Sequence, residues 1–293
     1  MIDLHTHTTA SDGRLSPADL VARARDAGVT VLSVTDHDTV AGADAADAAC
    51  RESGIGFVTG IEITAIRDGV DLHMLGYFVD RHSPGLQTFL MGMRQQRIDR
   101  IRGMVHRLAQ LGVALDGDAI LAPVLDNPQN SIGRPFIARA LVASGHASST
   151  NDAFDRWLTP GRPAFIPRAG APPAEVIARI HDAGGIASLA HPGLVGRDDW
   201  IPDLAANGLD AVEAYHSKHD ESATAKYVAI AARFALAVSG GSDFHSDEDH
   251  GPSSPGAVTL PRECFERLEA LADRQRGRRA TSRASASGST TSS

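Results

Sequence analysis

Met1-Ile2-Asp3-Leu4-His5-Thr6-His7 reads as a short apolar strand that ends in two histidines one residue apart. A barrel places its active site at such strand ends. Working outward, residues 29–34 form a continuous apolar, β-branched run, the pattern of a parallel strand buried on both faces, and it ends at Thr35-Asp36-His37-Asp38. Between the two, Ser16-Pro17-Ala18-Asp19 supplies an N-cap, a proline at the first helical position and an acid in the first turn. Leu20, Val21, Ala24 and Ala27 then recur at helical spacing up to Gly28.

The alternation continues. A second helix is predicted over residues 40–53, with strands over 57–63 and 72–79. After about residue 84 the rhythm changes to helices only, at 86–111, 135–143 and 152–158. Strand and helix alternate again through a helix at 173–183, a strand leading to His191-Pro192, a strand at 209–215, a helix at 221–233, and a strand leading to Ser242-Asp243-Phe244-His245. About seven strands in this order predict an α/β fold, a seven-stranded, parallel (β/α) TIM-like barrel with a helical insertion. The expected division is barrel over 1–86, a lid-forming insertion over 87–163, barrel again over 164–274, and a tail over 275–293. That tail lacks apolar periodicity and is predicted to be disordered and solvated, including Arg276, Arg278, Arg279 and Arg283.

The 293 residues are 42% apolar, and no apolar run approaches the roughly 18 residues that span a bilayer. No membrane association is expected. The first residues already form a strand, so no signal peptide and a cytoplasmic location are expected. Cys50 and Cys264 support neither a disulfide framework nor a cysteine-based zinc site. A net charge of −8 argues against a broad nucleic-acid footprint, yet leaves room for a locally cationic pocket.

Predicted strand ends and the loops after them carry His5, His7, Asp12, His37, Glu62, His73, His191, Asp243 and His245. Six imidazoles and three carboxylates exceed the needs of one ion and suit two or three divalent transition metals. Any one histidine alone would more often be structural; the joint pattern reverses that. His82, His106, His146, His181 and His250 lack this context and read as surface residues. His216, with His219, follows a strand end and is a candidate substrate contact. Arg134 precedes Pro135 at a predicted helix start, where a guanidinium and free N–H groups suit a phosphate. Arg94, Arg97, Arg100 and Arg102 read as the solvated face of the long helix, and Asp38 as a helix cap.

His5-x-His7, Asp12-Gly13, Thr35-Asp36-His37, Gly60-Ile61-Glu62, His73, Ala190-His191-Pro192 and Gly241-Ser242-Asp243-Phe244-His245 together resemble the PHP (polymerase and histidinol phosphatase) superfamily, over about residues 1–86 and 164–250. Ile132-Gly133-Arg134-Pro135-Phe136-Ile137-Ala138 resembles the subgroup of nucleoside 3′,5′-bisphosphate phosphatases and the 5′-to-3′ exoribonuclease RNase AM. The resemblance implies a metal-dependent phosphoesterase with three ions. His5, His7, Glu62 and Asp243 would hold the first, Glu62, His73 and His191 the second, and Asp12, His37 and His245 the third, with Glu62 bridging the first two. Manganese is the implied metal, with iron or zinc as alternatives.

A metal-activated water would then be the nucleophile, and no Gly-x-Ser-x-Gly elbow suggests a covalent route. The implied partners are a small phosphorylated nucleotide such as pAp and short 5′-phosphorylated RNA, without an obligate protein partner. Histidinol phosphate or another small phosphomonoester is the alternative substrate. A noncatalytic metal-binding PHP module is the alternative outside enzymes.

Overall fold

The computed structural model describes residues 1–246 and 254–287. The chain begins with β1 (Ile2–Asp3), α1 (Pro17–Asp26), β2 (Val31–Val34), α2 (Ala43–Ser53), β3 (Gly56–Arg67) and β4 (Val70–Tyr77). Helices α3 (Pro84–Gln110), α4 (Gly117–Asp126), α5 (Arg134–Ala143) and α6 (Thr150–Ala153) follow, the last running into a π-helical turn at Phe154–Leu158. Then come α7 (Pro173–Asp182), β5 (Ile186–Leu189), α8 (Pro192–Val195), α9 (Ile201–Ala206), β6 (Ala211–His216), α10 (Glu221–Arg233), β7 (Ala237–Gly241) and α11 (Arg262–Ser287). Ser16 accepts from the Asp19 amide at 3.2 Å to start α1, and Gly54, at φ 70°, closes α2 in the left-handed conformation.

The seven strands pair in sequence order. Leu4 N donates to Gly240 O at 3.3 Å, Asp243 N to His5 O at 2.8 Å and His7 N to Phe244 O at 2.9 Å, so the first and last strand ends meet and the sheet nearly closes into a barrel. It is not parallel throughout. β3 pairs antiparallel with β4, and β4 antiparallel with β5, while the other neighbours are parallel. The cause is the two-residue link Asp68-Gly69, at φ 50° and 77°, whose left-handed pair turns the chain straight back as a hairpin.

Barrel strands and the helices around them bury two apolar clusters, a larger one through Leu4, Ile61, Met74 and Leu189 and a smaller one through Leu20, Val21, Leu32 and Val34 where α1 and α2 cover β2. The inserted helices bury their own, through Ile101, Met104, Leu108, Ile137 and Leu141. Between them lies a face of α3 that departs from the expected solvated arginines. Arg94, Arg97 and Arg100 are 8%, 5% and 8% exposed, and only Arg102 of the run points outward. The spacing explains it: Leu90, Met93, Arg97, Ile101, Met104 and Leu108 fall at i+3 and i+4 intervals, so Arg97 lies within the buried stripe.

Asp38 is not a helix cap. It adopts φ 51°, is fully buried, accepts from Arg97 Nε at 2.5 Å and from the Thr64 amide at 2.9 Å, while Gly42 occupies the N-cap of α2. Nor is the chain irregular from residue 275, because α11 continues to Ser287. Phe265, Leu268 and Ala272 anchor its first turns in the barrel cluster, and the Arg- and Ala-rich sequence beyond has the propensity to propagate a helix already begun. Residues 288–293, His250 and the side chains of Arg278, Arg279 and Arg283 lie outside the described residues. Among the described residues, no helix is long and apolar enough to cross a membrane.

Candidate metal centre

All nine residues expected as ligands converge at one end of the barrel. His5 and His7 leave β1, and Nε2 of each lies 3.2 Å from Asp243 Oδ1. His37 follows β2, with Nδ1 2.9 Å from Glu62 Oε2. The β3–β4 register puts Thr64 opposite His73, so Glu62 is the diagonal neighbour of His73 on the same face, and Glu62 Oε1 lies 2.7 Å from His73 Nδ1. His191 Nε2 sits 3.1 Å from the same oxygen. Asp12 stands at the other side, 3.3 Å from His245 Nε2 and 3.7 Å from His37 Nε2.

Ligand-type atoms gather in four overlapping groups: His7, Asp12, His37 and His245; His5, His216 and Asp243; His5, Glu62 and His191; His37, Glu62 and His73. Many of these atoms have no other partner. His5 Nε2, both ring nitrogens of His7, His37 Nδ1, Glu62 Oε2 and His73 Nδ1 are buried without a hydrogen bond. Buried polar atoms left this way are the property of a site built for cations, and this mixture of imidazole and carboxylate fits manganese, iron or zinc.

The backbone is bent to deliver them. His191 and Asp243 take positive φ values of 26° and 56°, conformations that surrounding structure must hold in place. Gly13 lets the Asp12 loop fold against the His7 backbone, where a Cβ would approach its carbonyl carbon to 2.5 Å.

Electrostatics bind the cluster together. Burial alone would raise the Glu62 carboxyl, but His37, His73 and His5 around it hold it well below the usual range. Asp243 and Asp12 are held low in the same way, against burial, by the histidines they face. Burial and the neighbouring His245 push the His7 ring down to about 3. His245 is raised to about 10 despite burial, by Asp12 and Asp243.

Two carboxylates that the sequence reading passed over support this ring. Glu213 on β6 is buried, takes the His5 Nδ1 proton at 2.9 Å and accepts from the His191 amide at 2.7 Å. That leaves His5 Nε2 facing the cluster. Asp3 accepts from the Ser242 amide at 2.9 Å and the Ser242 hydroxyl at 2.6 Å, fixing the strand end that carries Asp243. The signal in both cases was an acid inside an otherwise apolar strand.

His216 belongs to the wall of the centre. It is 3% exposed, its Nδ1 accepts from the Lys218 amide at 3.1 Å, and the proton this leaves on Nε2 faces Asp243 Oδ2 at 3.3 Å. His219 sits behind it, bonded to Ala214 O at 2.9 Å. His181, expected at the surface, is half-buried on Asp210 at 2.7 Å and takes no part.

Arg134 begins α5 and is partly buried, with Nη1 3.2 Å from Leu158 O and its guanidinium over the Phe154 and Phe165 rings. It has company. Arg97, Arg100 and Arg168 lie in the same electrostatic neighbourhood, opposed by only Asp38 and Asp71. Arg168 Nη1 is 3.5 Å from Asp38 and its Nε 3.6 Å from Asp71, yet neither nitrogen makes a hydrogen bond. Burial, with Arg97 nearby, pushes the Arg168 guanidinium down to about 9. A Cβ at Gly133 would stand 3.4 Å from Arg97 Nη1 and 4.0 Å from Asp12 Oδ2, so this arginine cluster adjoins the metal-ligand cluster.

Comparison with known proteins agrees with this chemistry. The PHP domain model matches residues 3–131. The chain is 36% identical to a 5′-3′ exoribonuclease of Haemophilus influenzae, over 83% of this chain and 89% of that one. It is 34% identical to a 3′,5′-nucleoside bisphosphate phosphatase of Chromobacterium violaceum, over 90% and 93%. A crystal structure from Bifidobacterium adolescentis, described as a metal-dependent phosphoesterase, superposes with a TM-score of 0.84 at 34% identity, over 91% of this chain and 94% of the other. With the nine histidines and carboxylates gathered at one end of a nearly closed barrel, this chain belongs to the PHP domain family and is a phosphoesterase.

Proposed function

We propose that the protein removes the 3′-phosphate of nucleoside 3′,5′-bisphosphates, and that it also trims short 5′-phosphorylated RNA by the same cleavage. The observation that carries this reading is the adjacency of two anion-binding places of different kinds. One is the ring of metal-ligand residues; the other is the buried guanidinium group of Arg97, Arg100, Arg134 and Arg168. A substrate with a phosphate at each end of a ribose needs both. Histidinol phosphate offers an amine where these arginines stand, and like charges there would repel it.

His5, His7, Asp12, His37, Glu62, His73, His191, Asp243 and His245 would hold two or three divalent ions. When bound, such ions neutralise phosphate oxygens and bring the pKa of water toward neutrality. The chain's own residues supply position. Glu213 fixes the ring of His5, and His216 donates to Asp243 Oδ2, which leaves Oδ1 toward His5 and His7. We assign His216 to holding Asp243 rather than to touching substrate. Arg134 and Arg168 would grip the 5′-phosphate and exclude water from it, which sets the distance of the 3′-phosphorus from the ligand ring.

The test is phosphate release from pAp with Mn²⁺, beside histidinol phosphate and a 5′-phosphorylated oligoribonucleotide, with Asp243→Ala as control. Selective release from pAp is expected. Arg134→Ala should lower the preference for 5′-phosphorylated over 5′-hydroxyl substrate by about tenfold or more, the scale of a lost charge-assisted contact. An unchanged preference, or turnover of histidinol phosphate alone, would overturn the assignment.

A further inference from the structure

One turn of α3 before Arg97, Arg94 lines a separate cavity of about 330 Å³, together with Thr39, Asp44, Arg81, Gln87 and Gln129. Arg94 is 8% exposed, and its Nε is buried without a hydrogen bond. Among the described residues no carboxylate oxygen comes within ion-pair reach of its guanidinium. The one carboxylate that it senses, Asp38, is already paired with Arg97 and Arg168. Arg81, the other cation in the wall, is saturated: Asp44 takes its Nε at 2.5 Å, Asp47 its Nη2 at 2.9 Å and Thr59 its Nη1 at 3.3 Å. Arg94 is therefore the one guanidinium in the cavity wall without a carboxylate partner, beside an Arg81 that is held by two.

We propose that this cavity is an anion site for a phosphodiester of a ribonucleotide chain, outside the metal centre and distinct from the grip on the 5′-phosphate. The proposal rests on the phosphoesterase reading above and adds a seat for the part of a longer substrate that pAp lacks. Charge separates the two arginine sites. Four guanidinium groups against Asp38 and Asp71 leave an excess of two, which suits a terminal phosphate of about −1.5 to −2. Arg94 offers a single unpaired guanidinium, which suits the single charge of an internal diester.

Position supports the same division. Thr39, in the cavity wall, is two residues from His37 in the ligand ring, and its Oγ1 bonds Gln129 O at 2.6 Å. Arg94 and Arg100 lie to either side of Arg97 along one face of α3, so a chain crossing the ring could meet each in turn. Inorganic phosphate has the same oxyanion chemistry and is the rival occupant.

Binding is measured first, on chelated protein, so that it does not depend on turnover. Anisotropy of a 5′-phosphorylated tetraribonucleotide is followed against salt for wild type, Arg94→Met and Arg94→Lys. Arg94→Met should weaken binding about tenfold and reduce the slope of log K against log salt by about 0.7, the release expected for one phosphate of a single strand. Arg94→Lys should restore most of the slope. In the Mn²⁺-loaded protein, Arg94→Met should lower the ratio of tetranucleotide to pAp turnover about tenfold, mainly through KM.

Removing an unpaired buried charge should leave the melting temperature of the free protein unchanged or higher, which separates lost binding from lost folding. An unchanged salt slope and ratio would overturn the proposal. So would weaker competition by inorganic phosphate in Arg94→Met with tetranucleotide binding intact, which would make product phosphate the occupant. If neither pAp nor RNA is hydrolysed, the function assigned above fails, while the binding and salt measurements still decide the role of Arg94.

Discussion

A single buried carboxylate shows how the ligand ring is set. Glu213 presents one oxygen to His5 Nδ1 and the other to the His191 amide, so both of its oxygens serve as acceptors. Glutamine in its place has one acceptor and would turn an N–H toward one of those two donors. Glu213→Gln is therefore expected to weaken metal binding by about 10- to 100-fold, the usual cost of losing a partner behind a ligand. Competition with a chelator of known affinity measures it, and an unchanged constant would remove Glu213 from the site.

The same scale governs acid sensitivity. Burial lowers His73 and drives His7 down to about 3, whereas the unfolded rings titrate near 6.5. The unfolded chain thus binds protons more readily in that window. The stability contributed by these neutral rings is complete above pH 6.5 and is lost as pH falls toward their folded values. His5 and His245, raised by their carboxylates, are protonated in both states below pH 6.5 and add no slope there. Urea unfolding of chelated protein from pH 7 to 5 should lose stability at up to about 1.4 kcal/mol per pH unit for each such ring, and His7→Asn should flatten the curve by one ring's share.

At the level of elements, α3 carries two kinds of arginine in one run. Arg97 is paired with Asp38, bonds Ile132 O at 3.1 Å and Thr64 Oγ1 at 3.1 Å, and lies in the buried stripe; Arg102 is exposed beside Asp99. Arg97→Met should cost about 3 kcal/mol, because the buried Asp38 then keeps only the longer of its two arginine contacts, that with Arg168, beside the Thr64 amide, whereas Arg102→Ala should stay within about 0.5 kcal/mol. Equal values by denaturant unfolding would contradict the buried pairing.

This difference was present in the spacing, since Arg97 occupies an i+4 place in a row of apolar residues, but charge content outweighs position when a helix is read by composition. Asp68-Gly69 is a similar case. The dipeptide specifies a two-residue hairpin, yet the expectation of a repeating strand-helix unit concealed it, and with it the antiparallel pairs of β4. The ligands were legible for the opposite reason: they recur as His, Asp and Glu within or just after short apolar strand patterns, a local signal that needs no knowledge of packing. Arg168 gave no such sign, because its burial depends on the packing of the insertion against the barrel, a long-range fact.

For the molecule as a whole, the overlap of the ligand groups makes a prediction about ion count. Glu62 takes part in two of the four groups and Asp12 in one, and the groups containing Glu62 share His5 and His37 with the others. Loss of Asp12 should then subtract one ion and leave the rest of the ring assembled, while loss of Glu62 should remove the joint between its parts. Elemental analysis after dialysis against Mn²⁺ should find Asp12→Ala one ion short of wild type and Glu62→Ala short by two or more.

The same hierarchy should appear in stability, since each ion held at 100 times its dissociation constant adds about 2.7 kcal/mol to the folded state. For a chain of this size that corresponds to roughly 4–5 °C in melting temperature per ion. Chelation should therefore lower the wild-type melting temperature most, that of Asp12→Ala less and that of Glu62→Ala least. If Glu62→Ala retained as many ions as Asp12→Ala, the carboxylate at the middle of the ring would not be shared between ions, and the ring would consist of separate sites.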